Sequence, residues 1–300
     1  MRTDQRVLIT GINGFTGKYL AENLLRAGYV VFGTGTEAID KIDNSLGYYS
    51  VDLRDLASIK KVVKEVRPDF VVHLAALAFV GHGDANDFYE VNLVGTRNLL
   101  SALTENNISP TRVLLASSAN VYGNAQAGVL NERALVSPAN DYAVSKLAME
   151  YVANLWRDRL PIVIVRPFNY TGVGQDEKFL IPKIVRHFRE KSSLIELGNI
   201  DVWRDFSDVR AVVDAYQGLL EVDCNDMTVN VCSGVTFSLR EILTMCQNIS
   251  GHSLDIQINP AFVRANEVKS LCGDEGLLRT LVPDWSSRPL KDTLSWMLNS

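Results

Sequence analysis

The chain has 300 residues, of which 47% are hydrophobic and 22% charged, with a formal net charge of −5. That length suits one large α/β unit with a smaller lobe, and the apolar fraction is ample for a buried core. There is no basic block to suggest nucleic acid and no apolar run near the roughly 18 residues of a membrane span. The start, MRTDQRVLITG, enters a strand at once, which leaves no room for a signal peptide. Cys224, Cys232, Cys246 and Cys272 are widely spaced with no CxxC pair, and read as buried free thiols of a reducing compartment. The expectation is a soluble cytoplasmic protein.

Short apolar runs alternate with amphipathic helical stretches. Residues 7–10 read as the first strand, and 21–27 carry a helical face of Leu20, Leu24 and Leu25. Residues 30–33 read as a strand, 59–66 as a helix ending before Arg67-Pro68, and 70–74 as a strand. A long helix is expected over 90–106, a strand over 112–116, a helix over 142–157 and a strand over 162–165. Apolar strands between helices imply a parallel sheet buried on both faces. Right-handed crossovers make it a doubly wound α/β (Rossmann) fold. After Pro167 the rhythm breaks. Residues 169–200 read as loop plus one helix near 182–190, and 229–232 as a strand. A helix over 238–249 is N-capped by Ser238 with Glu241 as its capping-box partner, and the remainder reads as irregular with short helices. The expected division is 1–168 with 205–233 for a dinucleotide, and 169–204 with 234–300 for a lobe that closes over a second ligand.

In TGINGFTG, Gly11, Gly14 and Gly17 follow a strand and precede a helix, with Asn13 and Phe15 between them. Glycine there tightens the turn and lets backbone N–H groups approach a pyrophosphate, to which the helix N-terminus adds partial positive charge. Three glycines alone are a weak signal, but their position and flanks fit. Many such folds place an acid after strand two to hold the adenosine 2′-hydroxyl. Here stand Gly33, Thr34, Gly35 and Thr36. The absent carboxylate favours NADP(H), although no Arg or Lys sits there to bind a 2′-phosphate, and NAD(H) stays open. Asp52 and Leu53 suit the adenine edge; Asp52 reads equally as a helix N-cap.

Tyr142 and Lys146 lie four residues apart and share a helix face. A free phenol titrates near 10 and is a poor acid–base at neutral pH. A nearby ammonium is expected to lower that value. Such a tyrosine exchanges a proton with a ketone oxygen as hydride reaches carbon. Ser118, in LLASSANVYG, would hydrogen-bond the same oxygen. YxxxK alone means little; with the glycine loop upstream it points to nicotinamide-dependent oxidoreduction. His73, inside FVVHL, reads as a satisfied core histidine, and His82 as a loop residue that could touch substrate.

The motifs TGINGFTG, DLRD, HLAA, EVNLVGTRNLL, SSANVYG, YAVSK, RPFNYTGVGQ, DVWRDFSDVR and NVCSG run nearly end to end. By them the chain resembles the extended short-chain dehydrogenase/reductases acting on nucleotide sugars. Within that family it looks most like the GDP-6-deoxy-4-keto-mannose reductases, which make GDP-D-rhamnose. The resemblance implies that Ser118 supplies the catalytic hydroxyl and that Lys146 bonds the nicotinamide ribose. It implies that Leu74, Ala75 and Ala76 line the cofactor cleft, with Asn92 supporting it. Pro167, Phe168 and Asn169 would lie along the nicotinamide and sugar. Related dehydratases carry acids where this chain has Ala119 and Asn120, so dehydration is set aside and Asn120 is expected to face the sugar. Relatives that epimerise C3 and C5 use a Cys–His pair, and every cysteine here lies beyond Asp223. Asp141 stands where many relatives have proline, and a shifted helix start is expected.

A nucleotide-sugar diphosphate needs cations, and arginine binds phosphate bidentately. Arg204 and Arg264 are the candidates, with Lys183 a weaker one, Glu267 for the nucleotide ribose, and Phe79 with Ala78 and Val80 facing the sugar. Solvated or structural ion pairing is the plain alternative for the charged ones. The family implies a homodimer through the helices over 90–106 and 142–157. Two rival readings share these residues: a 4-epimerase holding NAD tightly, and a non-catalytic dinucleotide sensor.

Overall fold

The computed structural model describes residues 4–38, 46–79, 84–123, 128–263 and 269–300. In chain order β1 (Arg6–Thr10) leads to α1 (Phe15–Arg26), β2 (Val30–Gly35), β3 (Leu46–Ser50), α2 (Leu56–Val66) and β4 (Phe70–His73). A helical stretch follows in three parts: α3 (Ala85–Phe88), a π-helical segment (Tyr89–Val94) and α4 (Gly95–Glu105). Then come β5 (Arg112–Ala116), a 3₁₀ turn (Ala119–Tyr122), β6 (Val129–Leu130), α5 (Asp141–Asn154), β7 (Ile162–Pro167) and β8 (Asn169–Thr171). Next are α6 (Leu180–Arg189), β9 (Leu194–Leu197), β10 (Trp203–Asp208), α7 (Val209–Glu221), β11 (Thr228–Val231) and β12 (Thr236–Ser238). The chain finishes with α8 (Leu239–Ser250), β13 (Asp255–Ile258), β14 (Ser270–Gly273), α9 (Gly276–Leu281) and α10 (Leu290–Leu298).

Seven parallel strands form the main sheet in the order β11-β7-β5-β4-β1-β2-β3. All four residues of β4 and all six of β7 are buried, as a strand covered on both faces requires. Leu20 and Leu24 of α1 pack with Val213, Tyr216 and Leu219 of α7 on one face. Val62 and Val63 of α2, Leu99 and Leu103 of α4, and Met149 and Ala153 of α5 pack on the other. This is the doubly wound α/β architecture. The winding direction reverses between β1 and β4, and such a switch point opens a crevice at the carboxyl ends of the strands.

The second half is more ordered than its sequence suggests. Residues 169–200 hold β8 and β9 besides α6, and the C-terminal stretch holds β12, β13 and β14. β10 pairs with β8, β12 and β14 in a smaller sheet, and α6, α8 and α10 enclose a separate apolar core around Ile184, Ile242 and Leu294. Ser238 and Glu241 form the expected capping box. The expected continuous α-helix over 90–106 is instead interrupted by the π segment. α5 starts at Asp141 with Asn140 as N-cap. All four cysteines are buried and free.

Candidate active site

The turn after β1 is built by close approach. Gly11 adopts φ +74°, and a Cβ there would stand 2.8 Å from the backbone of Ala75. A Cβ on Gly17 would stand 2.4 Å from the Gly11 carbonyl oxygen. The amides of Gly11 and Ile12 donate to the carbonyl of buried Thr34, at 2.8 and 3.1 Å. Gly14 is the N-cap of α1 and brings no side-chain cap, so the first-turn amides are left for an external acceptor. A Cβ on Gly14 would meet only the Gly11 carbonyl, at 3.2 Å. An uncapped helix N-terminus with glycine at its mouth fits a dinucleotide diphosphate.

The flanking side chains are turned to other work. Asn13 Nδ2 donates to the Tyr48 hydroxyl at 2.9 Å. The Phe15 ring stacks on Tyr170 at 6.1 Å between centroids, and Thr16 and Tyr170 share a hydroxyl hydrogen bond of 2.8 Å. Asp52 is held by Arg54, whose guanidinium bonds both carboxylate oxygens at 2.6–3.0 Å and keeps the carboxyl below its usual range. The N-cap of α2 is Asp55. Leu53 is buried, and Asn98 Nδ2 donates to its carbonyl at 2.9 Å. Leu74, Ala75 and Ala76 follow β4 as a half-buried edge beside the glycine turn.

The chemistry-bearing side chains meet at the end of β5. Asn140 Oδ1 accepts the Ala143 amide and starts α5, which brings Tyr142 and Lys146 inward, both buried. Ser118 is extended and N-caps the 3₁₀ turn, its Oγ accepting the Asn120 amide at 3.2 Å. The Tyr142 phenol is hydrogen-bonded to Ser118 and pushed up to about 12 by burial; the Ser118 bond opposes this and Tyr170 adds to it. Lys146 Nζ donates to the carbonyl of Ala116 at 2.8 Å, and burial brings the ammonium down to about 8 against the pull of Glu150. The expectation that Lys146 lowers the phenol is therefore corrected. Burial is the largest influence on the phenol, and the ammonium is bound to a backbone oxygen.

A buried chain of hydrogen bonds braces this wall. The Thr96 hydroxyl donates to the Asn92 carbonyl at 2.6 Å, so it accepts from His73 Nε2 at 2.8 Å. His73 Nδ1 is then the acceptor of the Thr10 hydroxyl at 2.6 Å, and Thr10 Oγ1 accepts the Ala75 amide at 3.3 Å. Burial lowers the imidazole to about 3, with Lys146 adding to the shift, so His73 is the neutral core residue expected. Asn92 bonds both backbone groups of Leu77 and donates to Ser145 Oγ at 3.0 Å, which donates to the Tyr142 carbonyl at 2.8 Å.

Toward the second lobe the expected residues scatter. Pro167 ends β7, and the Phe168 ring is packed beside Tyr122, Cys232 and Leu271, so its side chain is core and does not line a cleft. Asn169 Nδ2 reaches the Asp205 carbonyl at 3.4 Å. Phe79 makes an edge contact with Phe179 at 5.9 Å, and Lys178 Nζ sits 5.6 Å from its ring centre. Arg204 Nη1 donates to the carbonyls of Trp203 and Lys269 at 2.8 and 3.2 Å. Lys183 Nζ donates to the Glu196 carbonyl at 2.7 Å and lies over Phe262, apart from the set at the end of β5. Arg264, Glu267, Val80 and His82 lie outside the described residues. Sequence reasoning missed Glu150 and Arg166, whose signals were a second four-residue step, from Lys146, and a charge inside the apolar strand IVIVRP.

The model of the family described as GDP-mannose 4,6 dehydratase matches residues 8–288. The GDP-6-deoxy-D-talose 4-dehydrogenase of Aggregatibacter actinomycetemcomitans is 36% identical over 97% of this chain and 96% of its own length. The GDP-6-deoxy-D-mannose reductase of Pseudomonas aeruginosa is 33% identical over 95% of this chain and 98% of its own. Among solved structures, a provisionally named epimerase from Burkholderia cenocepacia J2315 is 50% identical with TM-score 0.93, covering 100% of this chain and 98% of that one. RMD from Pseudomonas aeruginosa, complexed with NADPH, is 31% identical with TM-score 0.84 over 98% of both chains. On its sequence, its fold and its Ser–Tyr–Lys geometry, the chain belongs to the GDP-mannose 4,6-dehydratase family of extended short-chain dehydrogenase/reductases, and is an NAD(P)-dependent nucleotide-sugar oxidoreductase.

Proposed function

We propose that the protein reduces the C4 ketone of a nucleotide-linked 4-keto-6-deoxyhexose, with GDP-4-keto-6-deoxy-D-mannose as substrate, GDP-D-rhamnose as product and NADPH favoured over NADH. The observation that carries the reading is the buried phenol of Tyr142 hydrogen-bonded to Ser118 at the strand end beside the glycine turn. A phenol raised by burial keeps its proton at neutral pH and is poised to give it to the C4 oxygen. Ser118 donates a hydrogen bond to that oxygen. Lys146 holds positive charge under the site and bonds the nicotinamide ribose. A bound reduced nicotinamide supplies the hydride. Dehydration needs an acid beside Ser118, where this chain has buried Ala119 and uncharged Asn120.

Residues 1–168 and 205–233 hold the dinucleotide in this reading, and 169–204 with 234–300 the nucleotide sugar. Among the described residues no helix is long and apolar enough to cross a membrane, and the buried free cysteines fit a reducing cytoplasm. A homodimer would pair α4 and α5; Val144 and Tyr151 on α5 are exposed, as are Val94 just before α4 and Leu155 just after α5. One alternative has a specific support: 6-deoxytalose is the C4 epimer of 6-deoxymannose, and the 36% identical relative carries the talose name. Reduced-nicotinamide absorbance with enzymatically made GDP-4-keto-6-deoxy-mannose, followed by NMR of the product, tests both. Loss of absorbance with a rhamno product supports the reading, and a talo product corrects the face of attack. Loss only with the dTDP-linked sugar corrects the base. No loss with either, and NAD retained through purification, replaces the reductase with an epimerase.

A further inference from the structure

One turn beyond Lys146, the buried carboxylate of Glu150 has no part in the proton transfer above, yet its partners form the wall of the site. Its Oε1 accepts from Ser117 Oγ and from Arg166 Nε (2.9 Å), and its Oε2 from Arg166 Nη2 (2.6 Å). Tyr142, Lys146 and Glu150 repeat every four residues and share one face of α5. Their partners are Ser118, the Ala116 carbonyl and Ser117, three consecutive residues at the end of β5. Each side chain thus fastens one residue of the strand end, and a slip of helix against strand would break all three contacts.

Arg166 extends the grip. Its Nη1 donates to the Tyr122 hydroxyl at 3.0 Å and to the Glu132 carbonyl at 3.3 Å, and its guanidinium lies 4.9 Å from the Tyr122 ring centre. Tyr122 donates to Asn230 Oδ1 at 2.7 Å and ends the 3₁₀ turn that Ser118 caps. The ion pair therefore holds the chain on both sides of Ser118. A buried ion pair is poor grounds for stability, because desolvation offsets the attraction, so its placement here calls for another use.

We propose that Glu150, paired with Arg166, is a positioning residue for the reaction: it sets Ser118 against Tyr142 and places negative charge beside the Lys146 ammonium. The kinetic side of this rests on the reductase reading. The titratable groups facing Lys146 are Tyr142 and Glu150 on its own helix and neutral His73 on β4; Arg166 on β7 faces Glu150. Residues 116–118 and the Asn92–Ser145 pair bring no charge.

The test compares pH profiles of kcat/KM for wild type, Ser117→Ala and the double variant Glu150→Gln/Arg166→Gln, which removes both charges and leaves two amides able to bond. Ser117→Ala should lower kcat about tenfold or more while keeping the alkaline limb of the profile, the fall in rate as Lys146 loses its proton, in place. The double variant should move that limb to lower pH by about one unit, because an ammonium without its carboxylate loses its proton sooner. An unmoved limb, or full kcat in Ser117→Ala, overturns the proposal. Isotope-edited NMR titration of the Lys146 ammonium in substrate-free protein repeats the charge test without turnover. If wild type reduces no keto-sugar, the reductase reading falls and this titration still decides on Glu150. Should the double variant not fold, Glu150→Asp keeps the charge but withdraws it by one methylene; a lowered Lys146 titration supports the proposal and an unchanged one overturns it.

Discussion

Lys146 donates from Nζ to the carbonyl oxygen of Ala116 at 2.8 Å, which ties the ammonium to the strand that carries Ser118. Burial holds that ammonium at about 8, so it loses its proton within the ordinary assay range. As pH rises through that value the positive charge under the site disappears. We expect kcat/KM to fall about tenfold per pH unit above about 8. Lys146→Arg, charged throughout, should remove that limb while lowering the plateau, since a planar fork does not fit a site built for a point charge. A pH–rate profile of the two proteins checks this.

Tyr142→Phe keeps the ring against Phe88 at 6.0 Å between centroids and removes only the hydroxyl. Turnover should drop by about 10²–10⁴-fold. NADPH affinity, measured by fluorescence, should change little. Unchanged turnover removes Tyr142 as the proton donor.

The imidazole of His73 is held near 3, below its ordinary 6.5. The sign follows from which state binds the proton. Between those values the unfolded chain is protonated there and the folded one is not. Stability from burying the neutral ring is complete above about 6.5 and is lost as pH falls toward about 3. His73→Gln should flatten the acid side of the stability curve by up to about 1.4 kcal/mol per pH unit. Urea unfolding at several pH values reads the slope.

Gly17→Ala and Gly14→Ala should separate folding from binding. A Cβ at Gly17 stands 2.4 Å from backbone that cannot yield, so the domain should lose about 1–3 kcal/mol. A Cβ at Gly14 meets only one atom, at 3.2 Å. Gly14→Ala should therefore melt near wild type and bind NADPH at least about tenfold more weakly, because the methyl occupies the mouth of the uncapped helix. Thermal melts and NADPH titrations distinguish the two.

Tyr151 on α5 and Leu155 at its C-cap are 64% and 69% exposed, one turn apart. If two copies pair through α4 and α5, charge there must break the pair. Tyr151→Glu with Leu155→Glu should yield a monomer in sedimentation equilibrium with an unchanged circular dichroism spectrum. A wild-type monomer rejects the interface outright.

The first half of the fold was legible because its strands are solidly apolar: RVLIT, FVVH and RVLLA admit few other readings. The second half hid its strands behind polarity. In WRDFSD, Asp205, Ser207 and Asp208 are all buried, and Asp205 satisfies the amides of Ser233 and Gly234 at 2.9 Å. A buried polar residue that bonds backbone looks, in sequence, like a loop. Likewise Ser118, Tyr142 and Lys146 could be found by spacing on one helix and one strand end. Arg204 and Lys183 could not, because what decides their use is which carbonyls lie nearby. Glu150 continued the four-residue step but read as an ordinary helix carboxylate until Arg166 was seen opposite it.

The π-helical segment at Tyr89–Val94 has a bearing on how this chain tolerates change. It fits one residue more per turn than the helix on either side. Asn92 sits inside that excess, reaching both Leu77 and Ser145. Deleting one residue between Tyr89 and Val94 would let the segment return to a regular helix, because a π segment takes up an extra residue locally and leaves the helix on either side in register. The backbone at Asn92 would be redrawn, and its amide is expected to lose hold of Leu77 or Ser145 although every catalytic side chain remained. Length, at this one place, is part of how Asn92 reaches the two elements it joins, and a one-residue deletion that spares Asn92 should lower activity with Ser118, Tyr142 and Lys146 all in place.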